Sequence, residues 1–241
     1  MQTDRTPPEK LQILATHWLL EGFDKEELQR IGRHVRLQRC TANEVIFRKG
    51  DPGLGMMAVL RGRVKIQVTS PGDREMVLNI IDEGQVFGEI ALLDGMDRTA
   101  DAVAMMPSEL LVLDRRDFIP LLGRHPETCM KLIQVLCQRL RQTSEQLEDT
   151  VFLLQSARLG KTLLRLAKKY GQEIDHGIRI DLKLSQREFG TLVGIRREAM
   201  NRQLAEWREG GLISVAGGFI TIPNLERFEE FIEELVWRSA E

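Results

Sequence analysis

Between Ile133 and Leu154 the chain carries an apolar seam with heptad spacing. Ile133, Leu136, Leu140, Thr143, Leu147, Thr150 and Leu154 follow one another at intervals of 3, 4, 3, 4, 3 and 4 residues. A repeat averaging about 3.5 residues stays on one side of a helix only when that helix supercoils about a partner. A helix lying on its own domain shows a broader apolar stripe. Arg139, Arg141, Glu145, Glu148 and Asp149 stand outside the seam. The pattern therefore predicts a long helix that self-associates through Ile133, Leu136, Leu140, Leu147 and Leu154; the competing reading is a single amphipathic helix. Thr143 is polar in this apolar series, and the seam alone leaves open whether it meets a ligand or is a tolerated substitution.

Upstream the period is different. Over residues 24–113, EVIFRKGDPG, MMAVLRGRVKIQV, REMVLNII and SELLVLD read as strands. They are separated by Lys49-Gly50-Asp51-Pro52-Gly53, Arg61-Gly62-Arg63, Ser70-Pro71-Gly72-Asp73 and Glu83-Gly84-Gln85. Turn clusters at such short spacing predict an antiparallel barrel or roll. A short amphipathic helix is expected near Pro8–Leu20. From Asp114 the chain reads helical, and Pro126 suits the first turn of the seam helix.

Downstream, RLGKTLLRLAKKYG predicts a helix over Ala157–Tyr170 ending at Gly171, followed by a polar loop to Lys183. Then comes SQREFGTLVGIRREAMNRQLAEWREGG. Ser185 with Glu188 forms a capping-box pattern. Gly190 suits a close helix crossing and Gly194 a left-handed turn into a second helix, Arg196–Arg208. Ile195, Ala199 and Leu204 are spaced to face a core. Arg196, Arg197, Asn201 and Arg202 are left on the outward face near the second helix's start, where side chains reach base edges in a major groove. Arg197 with Glu198 suits a C·G/G·C step, because arginine pairs with guanine and a carboxylate accepts from cytosine N4. LISVAGGFITI supplies two short strands about Ala216-Gly217-Gly218, a wing. Together these predict double-stranded DNA as a partner.

The charge distribution agrees. Residues 156–211 hold 12 Lys+Arg against 7 Asp+Glu, while residues 1–155 hold 20 against 23 and residues 212–241 hold 2 against 6. An anionic partner would dock at the basic block, unless that block is simply a solvated helix face. Cys40, Cys129 and Cys137, and His17, His34, His125 and His176, are too scattered for a disulfide framework or a zinc site. No nucleophile–base pair marks an enzyme, so no catalytic residue and no metal is assigned. No apolar run approaches a membrane span and no secretion signal opens the chain, so a cytoplasmic location without membrane partners is expected.

The most specific segment is Phe87-Gly88-Glu89-Ile90-Ala91-Leu92-Leu93-Asp94-Gly95-Met96-Asp97-Arg98-Thr99-Ala100. The string resembles the phosphate-binding cassette of cyclic-nucleotide-binding domains. By that resemblance Arg98 is expected to neutralise a cyclic phosphate, and the backbone N–H groups opening a short helix after Gly88 to cradle its oxygens. Glu89 then suits a ribose hydroxyl, and Thr99 adds a donor. With the strands, long helix and helix-turn-helix, the chain resembles the cyclic-AMP receptor protein (catabolite activator) family over roughly residues 12–225.

The resemblance implies an α+β protein in three parts: a jelly-roll-like, cyclic-nucleotide-binding β-roll over 1–124, a dimerisation helix over 125–155 and a winged helix-turn-helix over 156–241. It implies a nucleotide site of Gly88, Glu89, Ile90, Ala91, Arg98 and Thr99, completed by Thr143 and Ser144 against the base. It implies base contacts from Arg197, Glu198 and Arg202, a phosphate contact from Ser185, and a TGTGA…TCACA-type operator with half-sites about 10 bp apart. It further implies a homodimeric transcription activator with cyclic AMP as allosteric effector and RNA polymerase as a partner. Three departures matter. Leu154 replaces a hinge Asp, leaving Ser156 as candidate cap. Arg196 replaces a Ser and can add a phosphate contact. Thr99 rather than Ser resembles cyclic-GMP sites. Cyclic GMP, both nucleotides, or constitutive activity stay open as alternatives, with a cyclic-nucleotide-hydrolysing enzyme as the remote one.

Overall fold

A computed structural model describes residue 12, residues 14–184 and residues 186–239. The chain divides into two compact units: the residues up to Val68 with Leu78–Arg141, and Thr69–Val77 with the residues from Gln142 onward.

The roll is built on strands β1 (Arg36–Cys40), β2 (Val45–Phe47), β3 (Gly55–Arg61), β4 (Val64–Thr69), β5 (Glu75–Ile81), β6 (Val86–Phe87), β7 (Asp101–Ala104) and β8 (Ser108–Asp114), all of it in the first unit except Thr69 of β4 and the first three residues of β5. They form two four-stranded sheets, ordered β1-β8-β3-β6 and β2-β7-β4-β5. Burial explains why Met56–Val59 reads as an unbroken apolar run. Met57 and Val59 point into the roll with Leu110 and Val112, against Val64, Phe87 and Ala104. Met56 and Ala58, on the other face, join Leu111 and Leu113 under a helical layer. A strand covered on both faces loses its polar alternation.

That layer consists of α1 (Lys25–His34), α2 (Glu89–Asp94), α3 (Arg115–Leu122) and the start of α4 (Pro126–Phe152). It contributes Ile31, Leu92, Phe118 and Leu132 to the core. Helix α1 starts where Asp24 and Glu27 cap each other's backbone N–H, a reciprocal box. Of the helix expected near Pro8–Leu20, residues 8–11 and 13 lie outside the described residues. The rest holds a helical stretch at Leu14–Thr16 and a 3-10 turn at Trp18–Leu20.

The second unit holds the remainder of α4, then α5 (Gln155–Tyr170), β9 (Gly171–Ile174), β10 (Gly177–Ile180), α6 (Gln186–Val193), α7 (Arg197–Glu209), β11 (Ser214–Ala216), β12 (Phe219–Ile222) and α8 (Leu225–Arg238). Its sheet runs β11-β12-β10-β9. Leu159, Leu163, Met200, Trp207, Phe228 and Ile232 are buried, and Trp207 meets Phe228 edge-on at 5.6 Å.

Two expectations are corrected here. The polar loop after Tyr170 is a hairpin, with Ile178 opposite Glu173. Its second strand is held by the wing, Ile178 opposite Ile222, a pairing that local polarity does not reveal. Helix α4 also stops at Phe152, two residues short of Leu154. Leu154 instead stands as N-cap of α5 with no side-chain cap, so it leaves the heptad, and Ser156 is not the cap. The Leu154 N–H donates to Ser239 Oγ at 3.1 Å.

Candidate functional site

In the first unit, the β6–α2 junction brings the cassette residues together. Gly88 turns the chain with φ 77°, and a Cβ there would lie 2.6 Å from Arg98 Nη1. Only glycine permits both the left-handed backbone and that approach. Arg98 Nη1 donates to the Gly88 carbonyl at 3.0 Å. Its guanidinium lies over the Phe47 ring, 4.2 Å from the centroid, a favourable cation–π geometry. The Arg98 backbone is also fixed, its N–H donating to Asp51 O at 2.9 Å and its carbonyl accepting from Gly50 N–H at 2.9 Å. Burial lowers the Arg98 pKa from the ordinary arginine value, while Glu89 and Asp51 act in the opposite direction.

Gly88, Glu89, Ile90, Ala91, Arg98 and Thr99 line a single cavity of about 60 Å³, whose walls include Phe47 and Arg139. Glu89 is 0% exposed and ion-pairs with Arg139, which also donates to the Val86 carbonyl. Two buried atoms of this cavity have no hydrogen-bond partner: Glu89 Oε2 and Arg98 Nε. An orphaned buried polar group costs about 1–3 kcal/mol. One acceptor and one cationic donor in one cavity fit a ligand that presents a hydroxyl and an anionic oxygen, as a cyclic nucleotide does. The cavity is smaller than the roughly 300–1,000 Å³ of sites that enclose such ligands, so admitting one requires its walls to part.

Arg139 and Phe47 are the site residues that sequence reading missed. The heptad places Arg139 outside the seam, and from there its guanidinium turns back to Glu89. The available signal was Glu89 itself, since a carboxylate inside an apolar roll requires a cation, and Arg98 was already assigned to phosphate. Thr143 and Ser144 follow Arg139 by about one helical turn and belong to the second unit, where both are exposed.

The helix pair of the second unit turns at Gly194, φ 72°. A Cβ at Gly190 would lie 3.3 Å from the Ile195 carbonyl, the close crossing its position predicts. Arg196 is N-cap of α7 without a side-chain cap, and Arg196, Arg197, Glu198 and Arg202 are exposed on one end of that helix. The outward placement expected for Asn201 is corrected: it is half-buried, and its Oδ1 is buried with no partner. Ile195, Ala199 and Leu204 are half-buried rather than central; Met200 and Trp207 are the core residues of α7. Ser185 lies outside the described residues. The wing strands pair Ser214 with Thr221 and Ala216 with Phe219.

Along α4, Leu140 is 69% and Leu147 64% exposed, Ile133 is exposed too, and Leu136 is half-buried. Among the described residues no group of three His, Cys, Asp or Glu could hold a metal ion. No described helix is long and apolar enough to cross a membrane.

Residues 37–125 match the cyclic nucleotide-binding domain family, and residues 157–231 match the Crp-like helix-turn-helix domain. The chain is 29% identical over 216 residues to the CRP-like cAMP-activated global transcriptional regulator of Mycobacterium tuberculosis, covering 90% of this chain and 96% of that protein. It is 33% identical over 184 residues to the global nitrogen regulator of Synechocystis, covering 76% and 82%. Among solved structures, CooA of Carboxydothermus hydrogenoformans shares the fold with a TM-score of 0.75 at 21% identity, over 92% of this chain and 95% of that one. The c-di-GMP responsive global regulator CLP of Xanthomonas campestris gives 0.73 at 26% identity, over 83% and 100%. The Mycobacterium relative is a cAMP-activated global regulator of transcription.

Proposed function

The chain belongs to the cyclic-AMP receptor protein family of transcription regulators, and from that premise we propose that it is a cytoplasmic, cyclic-AMP-responsive homodimer that activates transcription from a TGTGA-type palindrome. The observation that carries the effector reading is the pair of unpartnered buried atoms, Glu89 Oε2 and Arg98 Nε, in one cavity. When bound, the nucleotide supplies one negative charge and a ribose hydroxyl. Arg98 pairs with the charge, the N–H groups of Ile90 and Ala91 donate to the phosphate oxygens, and Glu89 accepts from the hydroxyl. Gly88 lets the backbone close in. Thr99 adds a hydroxyl, and Thr143 and Ser144 meet the base, one from each protomer.

We assign dimerisation to the exposed α4 seam, Ile133, Leu136, Leu140 and Leu147, and operator reading to Arg197, Glu198 and Arg202, with Arg196 and Ser185 on phosphates. The family matches at 37–125 and 157–231 support three parts, 1–124, 125–155 and 156–241. Switching needs differential affinity: moving a 1:99 equilibrium to 99:1 takes about 5.5 kcal/mol. Contact with RNA polymerase follows from the activator role.

Cyclic GMP is the second reading. It is favoured by Thr99 in the cavity wall, whose hydroxyl suits guanine N2–H₂. Titration of a palindromic operator at fixed salt, with cyclic AMP, cyclic GMP and neither, tests all of this. Tightening by cyclic AMP alone is the expected result. Equal tightening by cyclic GMP selects the second reading, and affinity that neither nucleotide moves would identify a constitutive regulator and overturn both.

A further inference from the structure

The second unit holds a cavity that the effector reading does not use. It measures about 390 Å³, within the roughly 300–1,000 Å³ of pockets that enclose small molecules. One wall is the inner face of α7: Met200, Asn201, Leu204, Ala205 and Arg208, positions that fall on a single side of a helix. Leu166 of α5, Phe189 of α6 and Ile220 of the wing also line it. This wall is polar at its two ends and apolar between. At one end Asn201 Oδ1 is buried and accepts from nothing. At the other stands the exposed guanidinium of Arg208. The two residues are seven positions apart, about 10 Å along the axis. Leu204 and Ala205, half-buried, form the wall between them.

A pure hydrocarbon would leave the Asn201 acceptor unsatisfied, and a compact polar metabolite would wet the apolar wall. A chain with an anion at one end and a hydroxyl toward the other satisfies every surface. We propose that this cavity is a second effector site for a medium-chain hydroxy acid, its carboxylate paired with Arg208, its chain along Leu204 and Ala205, and its hydroxyl donating to Asn201 Oδ1. Occupancy packs the underfilled inner face of α7 and holds the reader helix in one position, which raises operator affinity by preorganisation. That coupling rests on the operator reading above; ligand binding itself does not.

Calorimetry on the full-length protein with 10-hydroxydecanoate and with decanoate tests the site. The hydroxy acid is expected to bind about five-fold more tightly than decanoate, the worth of one hydrogen bond to a buried acceptor. Ala205→Leu, which fills the cavity, and Arg208→Ala, at an exposed position, are each expected to weaken binding at least ten-fold while their thermal midpoints confirm folding. Absence of binding to the wild-type protein overturns the site. So does undiminished binding to either folded variant, which would place the ligand elsewhere, for example on the α4 seam. Equal affinity for the two acids overturns the role of Asn201. Operator titration with and without the hydroxy acid then reads the coupling. A shift of about three-fold or more toward tighter binding supports it, and binding with no shift overturns it while leaving the site intact.

Discussion

The guanidinium of Arg139, on the long helix α4, ion-pairs with the fully buried carboxylate of Glu89, at the start of α2. The two residues are 50 positions apart. The pair ties the first-unit part of α4 to the cassette that lines the cavity. Its energetics are asymmetric. Removing one partner of a buried pair leaves an uncompensated charge and costs about 3–5 kcal/mol, more than the pair itself contributes.

Arg139→Met should therefore destabilise the protein by about 3 kcal/mol, read as a lower midpoint in denaturant unfolding. Adding Glu89→Gln to that variant should recover part of the loss, because the orphaned charge is then gone. A double variant no more stable than the single one would show that Glu89 is not the partner that matters.

Arg98→Leu should abolish cyclic-nucleotide binding, measured by calorimetry, while sedimentation still reports a dimer. Phe47→Leu should weaken nucleotide binding more mildly, by the roughly 0.5–2 kcal/mol of a cation–π contact, since the ring only holds the Arg98 guanidinium in place. Wild-type response to cyclic AMP in the Arg98 variant would place the ligand in another site.

His125 titrates between two carboxylates. Its Nε2 lies 2.9 Å from Glu27 and its Nδ1 3.0 Å from Glu127, with the ring stacked on Phe23. Only the imidazolium donates from both nitrogens. Burial opposes that charge and is the largest single influence, but the two carboxylates together raise the pKa above the ordinary histidine value. A folded-state pKa above the unfolded one means the stabilisation is fully present below about 6.5 and declines as pH rises through the folded value. The stability difference between wild type and His125→Gln should thus shrink from pH 5.5 to pH 9. A difference that grows with pH would reverse the assignment.

Leu140→Asp or Leu147→Asp should convert dimer to monomer, because each places a charge where the seam requires an apolar knob. Sedimentation velocity reads the change. Both side chains are exposed in the single chain, so the folded unit should keep its circular dichroism. Dimers that survive both substitutions would move the interface off α4.

Arg197→Ala should cost about 1–3 kcal/mol against the preferred operator and relax discrimination at one base pair. Equal loss on every sequence would make Arg197 a phosphate contact instead.

Much of this was legible in the residues because it is local. The 3-4 spacing from Ile133 to Leu147 depends only on helical period. The turn at Gly88 and the break at Gly194 depend on which residue tolerates positive φ. The run from Gly88 to Thr99 is short enough that its sequence places its own members around one cavity. Leu154 escaped because the end of a helix hangs on capping partners; the group that takes its N–H, Ser239, is 85 residues away.

The sequence by itself determined the periods, the turns and the chemical inventory: a roll, a heptad helix, a helix pair with a wing, and a glutamate and an arginine suited to a cyclic phosphate. Only the tertiary structure decided that Arg139 turns inward to Glu89, that Asn201 faces an inner cavity instead of solvent, and that Gly171–Ile180 becomes a hairpin. Backbone period and turn preference are set by neighbours a few residues away. Which side chain satisfies a buried charge, and which strand completes a sheet, is set by groups that packing brings together from far along the chain.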